Sequence, residues 1–208
     1  MAAIARRIDK LIKSALVPML EPLGFSRKAR HFWRRQPSVI AVINLQGNKW
    51  NEGDSGSFTL NFGVYFPELA KVLGAAVCDS PDEAECHVRE RGGMLLDPPG
   101  DRWWELGPGR DEVAVAEEVS ALVKERGLRW IDDHADCMRL SETLLAQRPV
   151  LRAAILHVSG QSTQAAALIE AHVRKEPLRA HPWLPLARAM GLEKQCKEWI
   201  AQAREPKF

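Results

Sequence analysis

Residues 58–66 read Phe-Thr-Leu-Asn-Phe-Gly-Val-Tyr-Phe, and residues 39–46 read Val-Ile-Ala-Val-Ile-Asn-Leu-Gln. Side chains alternate across a strand. Phe58, Leu60, Phe62, Val64 and Phe66 therefore share one face of the later stretch, and Val39, Ala41, Ile43 and Leu45 share one face of the earlier. Leaving such faces wet costs about 25 cal/mol for each Å² of apolar surface, so both must lie against helices. The opposite faces carry Ile40, Val42, Asn44 and Gln46 in one stretch and Thr59, Asn61, Gly63 and Tyr65 in the other. Two antiparallel strands with coincident apolar faces can pair with Asn44 opposite Asn61 and Gln46 opposite Thr59. The amides then form one patch, with Lys49 and Trp50 expected at its rim.

The flanking sequence completes an α+β plan. Residues 3–22 place Ile4, Ile8, Leu11, Ile12, Leu16 and Leu20 at helical spacing, and Pro22 and Gly24 end the pattern. Residues 30–35 and 101–106 are rich in aromatic residues and read as further strands. Residues 67–74 read as a short helix, with Pro67 in its first turn and Gly74 beyond its end. In residues 80–93 the helix-start chemistry of Ser80-Pro81-Asp82-Glu83 competes with an alternating pattern, and a strand over 85–96 is the preferred reading. It would add His87, Arg89 and Arg91 to the amide face.

From residue 111 the pattern is helical. One helix closes with Lys124, Arg126 and Gly127, as the helix dipole favours. A segment from Trp130 to Gln147 follows, then a helical hairpin over 149–177 turning at Ser159-Gly160-Gln161, and a last helix over about 184–203. The hairpin is similar to one tetratricopeptide unit, with Ala153, Gly160, Ala165 and Pro177 near that repeat's small-residue and proline positions. A solenoid needs at least three such units, so the hairpin is read as a packing unit. The expected architecture is an antiparallel sheet of about five strands on an N-terminal helix (residues 1–135), with an all-helical C-terminal extension (136–208).

Charge and cysteine usage narrow the function classes. Net charge is +2, yet residues 1–50 hold ten Lys/Arg against only Asp9 and Glu21. The basic end makes nucleic acid an alternative partner, with Phe32 and Trp33 interleaved among the cations of "SRKARHFWRR". Cys78, Cys86, Cys137 and Cys196 have no CxxC spacing. The apolar N-terminal stretch is interrupted by charges, unlike a signal peptide, and no run approaches a membrane span. A cytoplasmic protein with reduced thiols and no membrane association is expected.

Catalytic and metal constellations are sparse. Cys78, Cys86 and His87 form one cluster, but Cys86 and His87 would point to opposite faces of a strand, so no zinc site is expected. His134 and Cys137 stand one helical turn apart without an orienting group. Gly107-Pro108-Gly109 lacks the residues of a phosphate loop. No catalytic residue, metal or cofactor is expected.

The segments "LGFSRKARHFWR", "VINLQGNKWN", "FTLNFGVYF", "CHVRERGG" and "RWWEL", in this order and spacing, resemble a bacterial family catalogued as domain of unknown function 4304. The resemblance spans roughly residues 8–135 and rests mainly on the "LQxxKW" and "FxxNxGVY" pairing. It implies an α+β domain in which Gln46, Lys49, Trp50 and Asn61 belong to one unit, and it carries no activity. Where the family has a segment like Arg-Ile-Gly, this chain has Arg91-Gly92-Gly93.

Amides donate and accept at once and do no acid–base chemistry near neutral pH. The expected function is a non-enzymatic protein-interaction module, regulatory or immunity-like by analogy. It would contact its partner through Asn44, Gln46, Lys49, Trp50, Asn61, Tyr65, Arg89 and Arg91. A second alternative is an enzyme for a phosphate-containing substrate, using His31, His87, Arg89 and Arg91.

Overall fold

The computed structural model describes residues 3–143 and 148–204, with the side chains of 141–143 excepted. The chain divides into two compact units, residues 1–66 with 79–135 and residues 67–78 with 136–208. The segment 67–78, assigned from sequence to the α+β domain, thus packs with the C-terminal helices.

The first unit is a six-stranded antiparallel sheet with helices on one face. Its strands are β1 (Ser26–Lys28), β2 (His31–Gln36), β3 (Val39–Gly47), β4 (Gly56–Tyr65), β5 (Val88–Arg91) and β6 (Trp104–Leu106). They lie in the order β1-β2-β3-β4-β5, with β6 also paired to β4. The β3–β4 register sets Asn44 opposite Asn61 and Gln46 opposite Thr59, the expected one among the registers that the alternation allows. Phe58, Leu60, Phe62, Ile43 and Leu45 are essentially fully buried. They form one core with Ile4, Ile8, Ile12, Leu16 and Leu20 of the N-terminal helix and with Val119, Val123 and Ile131 of a later one.

The N-terminal helix runs through a π-type turn at Ile12–Leu16 and stops where Gly24 adopts φ 83°. The later helix does not end at Gly127. It starts at Glu112, capped by Asp111 Oδ1 accepting from the Val113 and Ala114 N–H groups, and continues through a π-type turn at Val123–Gly127 to His134. Gly127 has helical backbone angles, and a Cβ there would collide with the Phe62 ring. Its glycine permits close helix–sheet approach rather than termination.

The strand expected over 85–96 is confined to Val88–Arg91. Before it, Asp82 caps a short 3-10 turn at Glu83–Glu85, with Glu85 reaching back to the Asp82 N–H. After it, another 3-10 turn begins at Gly92, where a Cβ would sit 2.8 Å from Leu60 Cβ.

In the second unit, the helices Pro149–Val158 and Ser162–Lys175 form the expected hairpin, turning through Gly160 at φ 81°. Ala153 and Ala165 are fully buried in it. The final helical region is two helices, Leu184–Ala189 and Glu193–Arg204, because Gly191 breaks it at φ 74°. Part of the segment 130–147 lies outside the described residues; within it, helices cover Leu128–His134 and Cys137–Thr143.

Candidate functional site

The amide face is not an open polar surface. Residues 79–87 fold across it as a strap. Trp33 Nε1 donates to the Pro81 carbonyl at 2.8 Å, and Arg35 bonds the Asp79 carbonyl and Ser80 Oγ, each at 2.8 Å. Cys86 packs on Gly63, where a Cβ would come 2.9 Å from the Cys86 Cβ. His87 follows, with its ring 5.2 Å from that of Tyr65 and its Nδ1 accepting from the Phe66 N–H at 3.1 Å. The missing side chain of Gly63 is what lets the strap lie down.

Beneath the strap, the amides bond to one another. Asn61 Nδ2 donates to Asn44 Oδ1 at 3.1 Å and to Gln46 Oε1 at 3.2 Å. Asn44 Nδ2 lies 2.8 Å from His31 Nε2. Asn44 and Asn61 are only 5% and 6% exposed, so their polar groups had to be matched inside the protein. This ladder spans three adjacent strands and ends at the exposed Gln46.

A cavity of about 360 Å³ at Arg7, Leu11 and Glu112 lies away from the amides. A smaller one, about 260 Å³, sits at the open end of the ladder and is lined by Gln46, Asn61, Glu83, Arg89, Glu90 and Arg91. Its lining is mostly polar. Arg91, paired across the sheet with Asn61, donates to Asp101 Oδ1 at 2.9 Å and lies over the Trp103 ring. Arg89 is exposed and has no ion-pair partner among the described residues. Burial and the neighbouring Asp82 push the Glu83 carboxyl above its ordinary value. Asp82 is lowered, first by its hydrogen bond from Glu83 and then by His31.

The eight expected contact residues therefore separate. Gln46, Asn61, Arg89 and Arg91 line one cavity, and Asn44 supports it from below. Tyr65 shares the face but is buried against His87. Lys49 and Trp50 do not rim this patch. Lys49 Nζ lies 4.8 Å from the Trp50 ring centre, and Trp50 lines a different cavity with Asn48 and Asn51. Other amides tie down the loop: Asn51 Oδ1 accepts from the Ser57 N–H at 2.7 Å and its Nδ2 donates to the Ser57 carbonyl at 2.8 Å.

Sequence reasoning missed Asp82 and Glu83 as neighbours of His31. Asp82 Oδ1 lies 3.0 Å and Glu83 Oε2 3.7 Å from His31 Nε2. Their only local signal was helix-start chemistry, which the cap also uses. The basic first fifty residues are partly neutralised in place. Arg7 pairs with Glu112, Arg30 with Asp9 and Arg34 with Asp132.

The strands that carry these residues lie inside the family match, which covers residues 16–133 and is described as a domain of unknown function, DUF4304. The chain belongs to the DUF4304 family. The match takes in every strand of the sheet, the strap and the cavity, and stops just short of the first unit's end at Ala135. No curated protein and no solved structure matches the chain. No helix among the described residues is long and apolar enough to cross a membrane.

Proposed function

We propose that this DUF4304 protein is a non-enzymatic interaction module of the bacterial cytoplasm, and that it binds a protein partner at the cavity of Gln46, Arg89 and Arg91. The observation that carries this reading is the ending of a buried, self-matched amide ladder in an exposed Gln46 beside Arg89, a cation without an acidic partner among the described residues. An exposed amide beside a guanidinium that has no ion-pair partner among the described residues suits a peptide segment carrying a carboxylate. The amide would match the backbone, and the guanidinium would bind the acid in a two-pronged contact. The wider role would be regulatory or immunity-like. Cys78, Cys86, Cys137 and Cys196 form no disulfide among the described residues, which favours a reducing compartment.

The enzyme alternative has less support. Of its four residues His31, His87, Arg89 and Arg91, His87 is engaged in packing: its Nδ1 accepts from the Phe66 N–H and its ring lies against Tyr65. The nucleic-acid alternative loses three of its arginines to the ion pairs with Glu112, Asp9 and Asp132. Affinity capture from the native host tests the proposal, comparing wild type with Gln46→Ala/Arg89→Ala. The partner recovered by wild type should be lost from the double variant. Identical recovery from both would rule out this cavity.

A further inference from the structure

The geometry points to a divalent transition-metal site built from His31 Nε2, Asp82 and Glu83, at the His31 end of the amide ladder, with Glu83 shared with the Gln46 cavity. The three donor atoms lie within 4.8 Å of one another. Nε2 lies 3.0 Å from Asp82 Oδ1 and 3.7 Å from Glu83 Oε2. Metal–ligand bonds of about 2.0–2.2 Å place neighbouring donors roughly 3.0 Å apart at right angles and roughly 3.4 Å apart in a tetrahedron, so little movement is needed. One imidazole and two carboxylates form a set suited to zinc and its first-row neighbours.

A second observation concerns Nε2 itself, which has one in-plane bonding position. Asn44 Nδ2, a donor, lies 2.8 Å away, and Asp82 Oδ1, an acceptor, lies 3.0 Å away. With a lone pair accepting from Asn44, Nε2 faces Asp82 lone pair to lone pair. With a proton donated to Asp82, it faces the Asn44 N–H hydrogen to hydrogen until the Asn44 amide turns over. A cation held by Nε2 and both carboxylates removes the first conflict. The Asn44 amide then turns its oxygen toward the ion, and Asn61 and Gln46 turn with it.

The donors are also held in place from outside. The His31 ring stacks on Trp33 at 5.7 Å, and Trp33 is bonded to Pro81, the residue before Asp82. The cap between Asp82 and Glu85 fixes the turn that carries both acids. Such outer contacts orient ligands and raise affinity. The Asp82 side chain is 56% exposed, against 27% for His31 and 20% for Glu83, which leaves a side open to water.

The inference does not rest on partner binding, and its test needs no partner. The full chain, treated with chelator and exchanged into metal-free buffer, is titrated with Zn²⁺ near neutral pH by calorimetry. The side-chain amide signals of Asn44, Asn61 and Gln46 are followed by NMR. The account expects one tightest site per chain, weakened at least tenfold by His31→Gln and by the milder Glu83→Gln, with all three amide signals shifting as that site fills. Circular dichroism confirms that the variants are folded. Absence of Zn²⁺ binding, unchanged affinity in both folded variants, or filling of the site without movement of the amide signals would each overturn it.

Discussion

Asn61 donates from Nδ2 to Asn44 Oδ1 at 3.1 Å across the β3–β4 pair, with both side chains more than nine-tenths buried. Removing Asn61 strands the Asn44 oxygen, and removing Asn44 leaves the Asn61 amide with Gln46 alone; a buried polar group that loses a partner costs about 1–3 kcal/mol. Asn44→Ala and Asn61→Ala should each destabilise the protein by about that amount. The double variant should lose clearly less than the two single losses added together, because it removes both ends of the bond. Urea unfolding of the four proteins gives the coupling directly. Additive losses would mean the two amides act separately.

Gly63→Ala places a methyl group against Cys86 and should lift the strap. The expected loss is about 1–3 kcal/mol, the usual range for overpacking. A loss of stability alone would not locate the effect, so labelling of Cys86 is the sharper readout. The thiol, 8% exposed in the native protein, should react with maleimide under native conditions only in the variant.

Gly127→Ala tests close packing in a helix. Helix propensity alone would make alanine stabilising by about 1 kcal/mol. The Cβ collides with the Phe62 ring, and that term should dominate, giving a net loss of about 1–3 kcal/mol. A thermal melt of the variant decides the sign.

The β3–β4 pairing was legible because period two fixes both faces at once, and a one-residue slip would expose Phe58, Leu60 and Phe62. The strap was not legible. Its bonds join Trp33 to Pro81 and His31 to Asp82, pairs 48 and 51 positions apart, and such pairings leave no periodic trace. Gly127 misled for a related reason. A glycine looks the same in sequence whether it ends an element or admits a neighbouring side chain. The site was half legible: Gln46, Asn61, Arg89 and Arg91 share a cavity, whereas Lys49 and Trp50, adjacent in sequence to the amides, turn away along the loop.

Burial raises the Cys137 thiol to about 11. Its alkylation should accelerate close to tenfold per pH unit between pH 8 and 10, because the thiolate is the reacting form. The linked stability runs the same way. An unfolded thiol ionises near its ordinary value and the folded one only near 11, so this contribution is full below about pH 8.5 and is lost as pH rises toward 11. Mass spectrometry of timed iodoacetamide reactions tests the first statement. A flat pH profile would mean that the site opens before it reacts.

The proposed partner surface is tested most directly by photo-crosslinking in the native host. A benzoylphenylalanine is placed at Glu90, which lines the Gln46 cavity and leaves Arg89 in place, and separately at Leu178, an 85% exposed position in the other unit. A discrete protein adduct is predicted from position 90 that is absent from position 178 and is lost when Gln46→Ala is added. No adduct at 90, or the same adducts at both positions, would contradict the proposed surface.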